Sequence, residues 1–499
     1  MAATRDDSVF PAPVYKETVL APLFEGVKKH HWQHQMRINR ASAVMLAEKG
    51  LLSRAEAGAI LKALDDIVAT VDVPSLDYTG EHEDFFFYVE SELKRRLGVE
   101  VAGKLHTGRS RNDIDHTVFK LALKERLIGF VEALLGLVEA ALVVAEKNRD
   151  TLIVAYTHGQ PAQPSTFGHY LAALIEMLLR DIERVAHAAR YPDKSSMGAA
   201  AITTSGFGLD RARMAELLGF AEVQENSYGC IAAIDYATSV YAALKLVFVH
   251  LGRFVQDLNA WTGFEIGHLY VPNAYVQISS IMPQKRNPVP VEHLRLMLSL
   301  ASARAESVIV AVHNTPFADM NDSEGEVQAA GYEAFDTGHR AIALLAGFIG
   351  SVRIDEARVR RHIDEACITV TELADSLVRA EGLSFRQAHE IAAKLARRMI
   401  DTGERFGTVP MSAFAEAFRE VTGRAANLSE AEFRRVTTPE HFVAVRTMPG
   451  GPAPGALLAA FAAYREELGK ARGWLDAYRG RMEAAARRLD AAATALKNG

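Results

Sequence analysis

The stretch that decides the fold is Asp113–Asn148, DIDHTVFKLALKERLIGFVEALLGLVEAALVVAEKN. Apolar residues recur in it at intervals of three and four positions, which is the spacing of one face of an α-helix. They form a continuous stripe of Val118, Leu121, Ile128, Val131, Leu135, Val138 and Leu142. A periodic run of this length is typical of a helical bundle or a coiled coil. The sequence therefore predicts one long helix packed among others.

Similar segments follow, separated by loops that contain Gly, Pro or polar clusters. They are Ser165–Ala188, Ile231–Thr262, Val291–Val312 and Gly325–Ile349. About five long helices make a central bundle, and their length suits packing against copies of the same chain. Shorter helical patterns flank the bundle. We predict an all-α fold of three mostly helical domains, at residues 1–112, 113–362 and 363–499.

Composition narrows the class of protein. The chain has 499 residues, 49% hydrophobic and 24% charged, which suffices for well-buried cores. A formal charge of −6 provides no broad basic surface, so we expect no nucleic-acid or anionic-membrane partner. Two distant cysteines, Cys230 and Cys367, exclude a disulfide scaffold. Met1–Pro13 lacks the apolar core of a secretory signal, and Gly129–Ala145 is interrupted by two glutamates. We expect a soluble, cytoplasmic protein.

The first of three polar loops is Thr107–Asp113, TGRSRND, directly before the long helix. We expect Asn112 or Asp113 to cap that helix. The free N–H groups of its first turn, together with Ser110 and Arg111, form a candidate cradle for a carboxylate or phosphate. An ordinary capping loop with solvated arginines explains the composition equally well.

The second loop is Thr157–Thr166, THGQPAQPST, which precedes another helix that Ser165 or Thr166 would cap. Its two prolines hold the backbone extended. His158, between a threonine and a glycine, is a candidate general acid or base near neutral pH. A lone histidine is, however, more often structural.

The third loop is Gln277–Pro288, QISSIMPQKRNP. It concentrates two hydroxyls, an ammonium, a guanidinium and an amide in a segment with little apolar anchor. Such a loop is suited to close over an acidic ligand and to bring Lys285 and Asn287 to a developing negative charge. The alternative is a basic surface loop.

Metal and nucleotide motifs are absent from the sequence. His30, His31 and His34 include an i, i+4 pair but no HExxH motif or third carboxylate at ligand spacing, which favours a solvated helix face. Glu81–Asp84 has the composition of a polar turn and helix start. No GxGxxG motif or P-loop occurs. We expect no metal site and no nucleotide cofactor.

Together the three loops resemble the conserved regions of the aspartase/fumarase superfamily, and most closely its argininosuccinate lyase branch. SSIMPQKRNP matches the superfamily signature, whereas TGRSRND and THGQPAQPSTFGHYL are specific to that branch. LAEKGLLS, LDRARMAELLGF, LADSLVRAEGLSFRQAHE and GGPAPG follow the family in order. The resemblance implies that the middle bundles of four subunits join in a homotetrameric core. Each active site would then combine the three loops from three different subunits.

The resemblance also implies a reaction, the elimination of an amine from an N-substituted aspartate with release of fumarate. Ser280 would be the general base that takes the proton at Cβ, Lys285 would stabilise the aci-carboxylate intermediate, and Asn287 would hydrogen-bond the substrate. His158 would position the substrate or help to protonate the leaving amine. The substrate-binding residues would be Ser110, Arg111, Asn112, Thr157, Gln160 and Ser279. No metal or organic cofactor is implied.

This chain departs from the family pattern where the family holds the arginine half of its substrate. Phe86 replaces a histidine and Ile234 an arginine, while Ile278 replaces the glycine before the serine pair. A family tyrosine, lysine and glutamine become Asp319, Asn321 and Glu324. We therefore expect a leaving amine other than arginine, from an aminopolycarboxylate such as ethylenediamine-N,N'-disuccinate (EDDS).

Two alternatives remain. One is an ordinary argininosuccinate lyase of a divergent lineage. The other is a non-catalytic, crystallin-like structural protein, which the retained Ser280, Lys285, Asn287, Thr157 and His158 disfavour.

Overall fold

The computed structural model describes residues 10–499. The all-α prediction is confirmed. The N-terminal region contains short helices and one kinked helix. These are α1 (Pro13–Tyr15), a π-helical turn (Lys16–Leu20), α2 (Ala21–His30), α3 (Trp32–Glu48), α4 (Arg54–Thr70), a 3-10 turn (Val73–Ser75) and α5 (Phe85–Lys104). As the polar segment 81–84 suggested, Asp84 begins α5 by accepting a hydrogen bond from the Phe87 N–H.

The middle of the chain contains the long helices predicted from periodicity. The helices are α6 (Arg111–Lys147), α7 (Phe167–Ala188), α8 (Arg211–Leu218), α9 (Gly229–Ala232), α10 (Asp235–Thr262), α11 (Val289–Ala311) and α12 (Gly325–Ser351). Two 3-10 turns, Asn273–Tyr275 and Asn321–Ser323, lie in the loops. The helices α6, α7, α10, α11 and α12 are the five of the central bundle.

The strands are short and pair two by two. They are β1 (Leu152–Thr157), β2 (Gln160–Thr166), β3 (Lys194–Ser195), β4 (Glu222–Val223), β5 (Leu269–Tyr270), β6 (Gln277–Ile278), β7 (Arg286–Asn287) and β8 (Arg353–Ile354). β1 pairs with β2, β5 with β8 and β6 with β7, all antiparallel, whereas β3 and β4 are parallel. The strands lie in the segments that connect the helices. Within the described residues, each sheet has only two strands.

The C-terminal region has α13 (Glu356–Glu365), α14 (Val370–Glu381), α15 (Phe385–Thr402), α16 (Met411–Thr422), α17 (Glu430–Val436), α18 (Pro439–Ala444) and α19 (Pro454–Lys497). It contains a small core of its own within residues 367–436, around Leu373, Phe414 and Phe433. The last helix does not pack there. Its buried side chains, from Leu457 to Leu496, belong to the main core with the bundle and the N-terminal helices. The predicted domain limits remain a prediction.

The long last helix lies along α6. Three ion pairs join the two helices in antiparallel order: Arg479 with Glu132, Arg472 with Glu139, and Arg465 with Glu146. Successive partners are seven residues, or about two helical turns, apart on each helix. All three pairs therefore lie along one face of each helix. Gly58 of α4 comes so close to the end of α19 that a Cβ there would lie 2.6 Å from the Leu496 carbonyl oxygen.

The bundle has two distinct ends. Tyr236 at the start of α10 bonds His116 near the start of α6, and further along both helices Phe130 packs edge-on against Phe248 at 5.7 Å. α6 and α10 therefore run in the same direction. We call the end where α6 begins the first-loop end and the end where α10 finishes the hairpin end. At 1.5 Å per residue, the 28 residues of α10 separate them by about 42 Å.

Two helical segments, Arg111–Lys147 and Gly229–Thr262, are long and apolar enough to cross a membrane by length and composition alone. About half of the most apolar window of each is buried inside the chain. Packing in the bundle core accounts for these apolar residues.

Candidate active site

The first loop lies at the first-loop end and is built around the start of α6. Ser110 caps the helix: its hydroxyl accepts a hydrogen bond from the Asn112 N–H, and its own N–H donates to Asp113 Oδ1 at 2.9 Å. The expectation that Asn112 or Asp113 is the cap was wrong, because Ser110 has the extended backbone that a cap requires. Asp113 instead closes the other half of a capping box.

The two arginines of this loop have different environments. Arg109 is partly buried and donates to Asn39 Oδ1 and Ser42 Oγ, and burial lowers its pKa to about 10. It therefore anchors the loop. Arg111 is partly exposed and binds Glu83 and Asp84 at 2.9 and 2.7 Å. Burial opposes its charge, but the two carboxylates outweigh burial and raise the pKa of Arg111.

Asn112 links the first loop to the segment between α11 and α12. Its amide donates to Asp319 Oδ2 at 2.5 Å, while its amide oxygen accepts from the Ser110 hydroxyl at 2.8 Å. The charges of Asp115 and Glu324 also face this region. Burial raises the pKa of both carboxyls, and the neighbouring negative charges raise it further. One arginine, Arg111, thus stands among several carboxylates.

The second predicted loop is a β-hairpin. β1 and β2 pair through a two-residue turn, His158–Gly159, where both residues have positive φ, 52° and 73°. This is the geometry of a tight hairpin turn, and glycine adopts it readily. Thr157, His158 and Gln160 are exposed at the tip. Thr166 caps α7, as one of the two predicted candidates, by accepting from the His169 N–H at 3.1 Å.

The third loop is the exposed turn between β6 and β7. Ser279 Oγ accepts from the Met282 N–H at 3.0 Å, so this hydroxyl shapes the turn. Ser280 and Lys285 are exposed, and Asn287 lies in β7 at the base. Arg286 fixes that base through the Val271 carbonyl at 2.7 Å.

The hairpin and the third loop lie at the hairpin end. Tyr156 of the hairpin packs on His268 at 5.9 Å, and Tyr275 before the third loop packs on Phe348 near the end of α12. The first loop lies at the other end. One chain therefore brings Ser110, Arg111 and Asn112 together, but leaves them a helix length away from Ser280.

Four of the positions that depart from the family pattern fall into two groups. Phe86 is buried against Phe87 and His106, and Ile234 packs against the main core. Asp319 and Glu324, in contrast, reach the first loop.

The histidine cluster near the N-terminus was wrongly expected to be a solvated face. His31 and His34 are only 5% and 7% exposed. Burial lowers the pKa of His34 to about 4, and His31 lies 3.0 Å from the Tyr332 hydroxyl. Among residues 10–499, no group of three or more His, Cys, Asp or Glu side chains has the arrangement of a metal site.

Sequence reasoning missed two residues, His116 beside Asp319 and Tyr236 on the other side of His116. His116 lies one turn after Asn112 on α6, with its Nε2 3.7 Å from Asp319 Oδ1, and Tyr236 bonds its other nitrogen at 3.0 Å. The signal was available, because residues four apart share a helix face.

Comparison with known proteins gives the family. A family model described as "Lyase" matches residues 25–301, and one described as "Argininosuccinate lyase C-terminal" matches residues 367–444. Argininosuccinate lyase 2 of Agrobacterium fabrum strain C58 is 57% identical over 464 residues, covering 93% of this chain and 92% of that protein. The chain belongs to the argininosuccinate lyase branch of the aspartase/fumarase superfamily. It is a fumarate-releasing carbon–nitrogen lyase, so the structural-protein alternative is set aside.

Two other relatives of this lyase are informative. Argininosuccinate lyase 1 of Shouchella clausii is 32% identical and covers 89% of each chain. A solved structure of an EDDS lyase variant with bound fumarate has a TM-score of 0.86 and 28% identity, covering 97% of each chain. Enzymes of this family are oligomeric.

Proposed function

We propose that this lyase eliminates an amine from an aminopolycarboxylate such as EDDS, giving fumarate and N-(2-aminoethyl)aspartate. The observation that carries the proposal is the pair Asp319 and Glu324, which add carboxylates beside the fumarate-binding loop. A diamine linker is cationic and is attracted to such a lining. The structural neighbour named an EDDS lyase supports this substrate class.

The proposed chemistry uses the three loops. Ser280 removes the proton at Cβ, and the electron pair moves into the adjacent carboxylate to form an aci-carboxylate. Lys285 stabilises the added negative charge and Asn287 hydrogen-bonds the substrate. The carbon–nitrogen bond then breaks, and the leaving amine gains a proton with the assistance of His158.

The remaining residues would bind the substrate. The carboxylates that become fumarate would contact Ser110, Arg111, Asn112 and Thr157, with Gln160 and Ser279 alongside. For Arg111 to do so it must share its guanidinium with Glu83 and Asp84, to which it is already bonded. A second carboxylate group on the substrate needs further cations.

We also propose that this lyase is a homotetramer with active sites shared by three subunits, and that it works in the cytoplasm. The separation of the loops supports sharing: Asn112 and Ser280 lie at opposite ends of the bundle. Exposed apolar residues on α10 and α11 support the tetramer, because water disfavours such a surface. They are Leu246, Val249, Leu296, Leu300 and Val310.

Argininosuccinate is the second candidate substrate, because the relative that is 57% identical is named an argininosuccinate lyase. Its guanidinium is also cationic and would be attracted to the same carboxylates.

The test incubates purified enzyme separately with argininosuccinate and with (S,S)-EDDS, and follows fumarate by its ultraviolet absorbance. We expect turnover of EDDS. Asp319→Asn and Glu324→Gln remove charge at nearly constant volume and are expected to raise KM for the amine product in the reverse direction. Turnover of argininosuccinate alone would contradict the substrate proposal, and silence with both would direct the search to other N-substituted aspartates.

A further inference from the structure

His116 stands behind the amine side of the candidate site. Its side chain is fully buried on α6. Its Nδ1 lies 3.0 Å from the Tyr236 hydroxyl, and its Nε2 lies 3.7 Å from Asp319 Oδ1. Within residues 10–499, neither His116 Nε2 nor Asp319 Oδ1 has a hydrogen-bond partner. A buried imidazole nitrogen thus points at a carboxylate oxygen just beyond hydrogen-bond range.

The surroundings determine which nitrogen of His116 carries the proton. Burial lowers the pKa of His116 and so favours the neutral imidazole, which has a single N–H. Tyr236 is also fully buried, and its hydroxyl proton needs an acceptor, which His116 Nδ1 provides. The remaining proton is then on Nε2, facing Asp319. In the other tautomer, a nitrogen lone pair would face the carboxylate oxygen.

Asp319 has few other restraints. It lies in the irregular segment 312–324 between α11 and α12, and its one described hydrogen bond is to the Asn112 amide. Its negative charge helps to raise the pKa of nearby Glu324 and Asp115, so these two carboxyls do not hold it in place. Asn112 does not depend on Asp319 in the same way, because Ser110 also binds it.

We propose that His116 is a positioning residue that, through its Nε2–H, holds the Asp319 carboxylate toward the leaving amine. The inference rests on the proposed function, in which Asp319 lines the amine half of the site. A movement of about 1 Å in the segment 312–324 brings the 3.7 Å separation to hydrogen-bond length. Tyr236 fixes the tautomer, and the Lys120 ammonium lies 5.1 Å from the centre of the Tyr236 ring, which supports that ring.

The experiment compares two substitutions at His116 in the full-length enzyme. His116→Gln keeps an acceptor for Tyr236 and a donor for Asp319, whereas His116→Leu keeps bulk and removes both. Steady-state kinetics are measured in the amine-addition direction, with fumarate and the amine varied separately, and thermal unfolding is recorded. His187→Leu, an exposed histidine at the end of α7, is the matched control.

We expect His116→Leu to raise KM for the amine by about ten- to a hundredfold, which is the loss of one hydrogen bond to a charged group. KM for fumarate should change by less than about threefold, since Ser110 still holds Asn112. His116→Gln should return the amine KM to near the parent value. If the leucine variant does not fold, Tyr236→Phe carries the test and should raise the amine KM in the same direction.

Three results would overturn the inference. The first is an unchanged amine KM in the leucine variant or, where that variant does not fold, in Tyr236→Phe. The second is a rise of both KM values together with a loss of thermal stability. The third is a glutamine variant that behaves as the leucine variant does. The amine used is whichever one the parent enzyme adds to fumarate. If that amine is arginine, the aminopolycarboxylate proposal fails in the parent, while the His116 comparison is still decided.

Discussion

Mixed oligomers of two inactive variants test whether the active site is shared between chains. Asn112→Ala damages the first loop and Ser280→Ala the third. Removal of a general base commonly costs about 10²–10⁴-fold in rate, so Ser280→Ala alone should be nearly inactive. Asn112→Ala alone should also lose most activity, because it removes a proposed substrate contact in the first loop. When both are co-expressed in equal amounts, some sites should receive a sound first loop from one chain and a sound third loop from another.

The structure gives the reason and the magnitude. The seven residues Ser279–Lys285 between β6 and β7 can reach at most about 12 Å beyond their base. α10 separates the two ends of the bundle by about 42 Å. A chain therefore cannot supply both loops to one site. With random assembly, half of the sites have a sound first loop and half of those a sound third loop, so about one quarter of the parent activity should return.

Activity is measured by fumarate absorbance on the co-expressed protein, with differently tagged chains to verify that mixed oligomers form. Ser280→Ala mixed with Lys285→Ala is the control, because both lesions lie in the third loop and no site can be sound. The reasoning would be refuted if verified mixtures of Asn112→Ala and Ser280→Ala chains were no more active than the single variants. It would also be refuted if the control mixture recovered as much activity as this mixture.

Three further predictions concern stability and are checked by unfolding. Burial raises the pKa of Glu324 to about 7, so the folded state keeps a proton that the unfolded state loses near pH 4.5. The free energy of unfolding should therefore fall as the pH rises from about 4.5 to 7, and Glu324→Gln should remove that fall. Arg109→Met should lower the free energy of unfolding by about 2–4 kcal/mol, because Asn39 and Ser42 lose a buried donor. Gly136→Ala should stabilise α6 by about 0.5–1 kcal/mol, because a Cβ there meets open space. Gly168→Ala should destabilise the protein, because its Cβ would lie 2.6 Å from the Ala145 carbonyl oxygen.

Periodicity was sufficient for the bundle. Buried α-helices keep their apolar spacing, and the expected start of α6, Asp113, is two residues from the observed Arg111. Thr166 could also be predicted as a helix cap, because capping depends only on residues close in the sequence. The hairpin at His158 was not recognised, because its short strands carry prolines and its turn places a histidine where φ is positive.

The amine side of the site could be predicted only in part. Asp319 and Glu324 were recognisable as new carboxylates, but the residues they meet, Asn112 and Arg111, lie at the start of α6, more than two hundred residues earlier in the chain. His116 could have been placed on the helix face of Asn112, but nothing in the sequence shows that this face meets the segment 312–324. Which loops share an end of the bundle depends on helix direction, and that follows from packing rather than from spacing.

The position of α19 has a consequence for biosynthesis. Its 44 residues complete the main core, yet they leave the ribosome after the bundle and α4. Until then the bundle and α4 present an uncovered apolar surface, which is what chaperones and proteases recognise in incomplete chains. A premature stop codon early in this helix therefore yields a protein with all three predicted active-site loops but an open core. Quality control, rather than catalysis, decides the outcome of such a truncation.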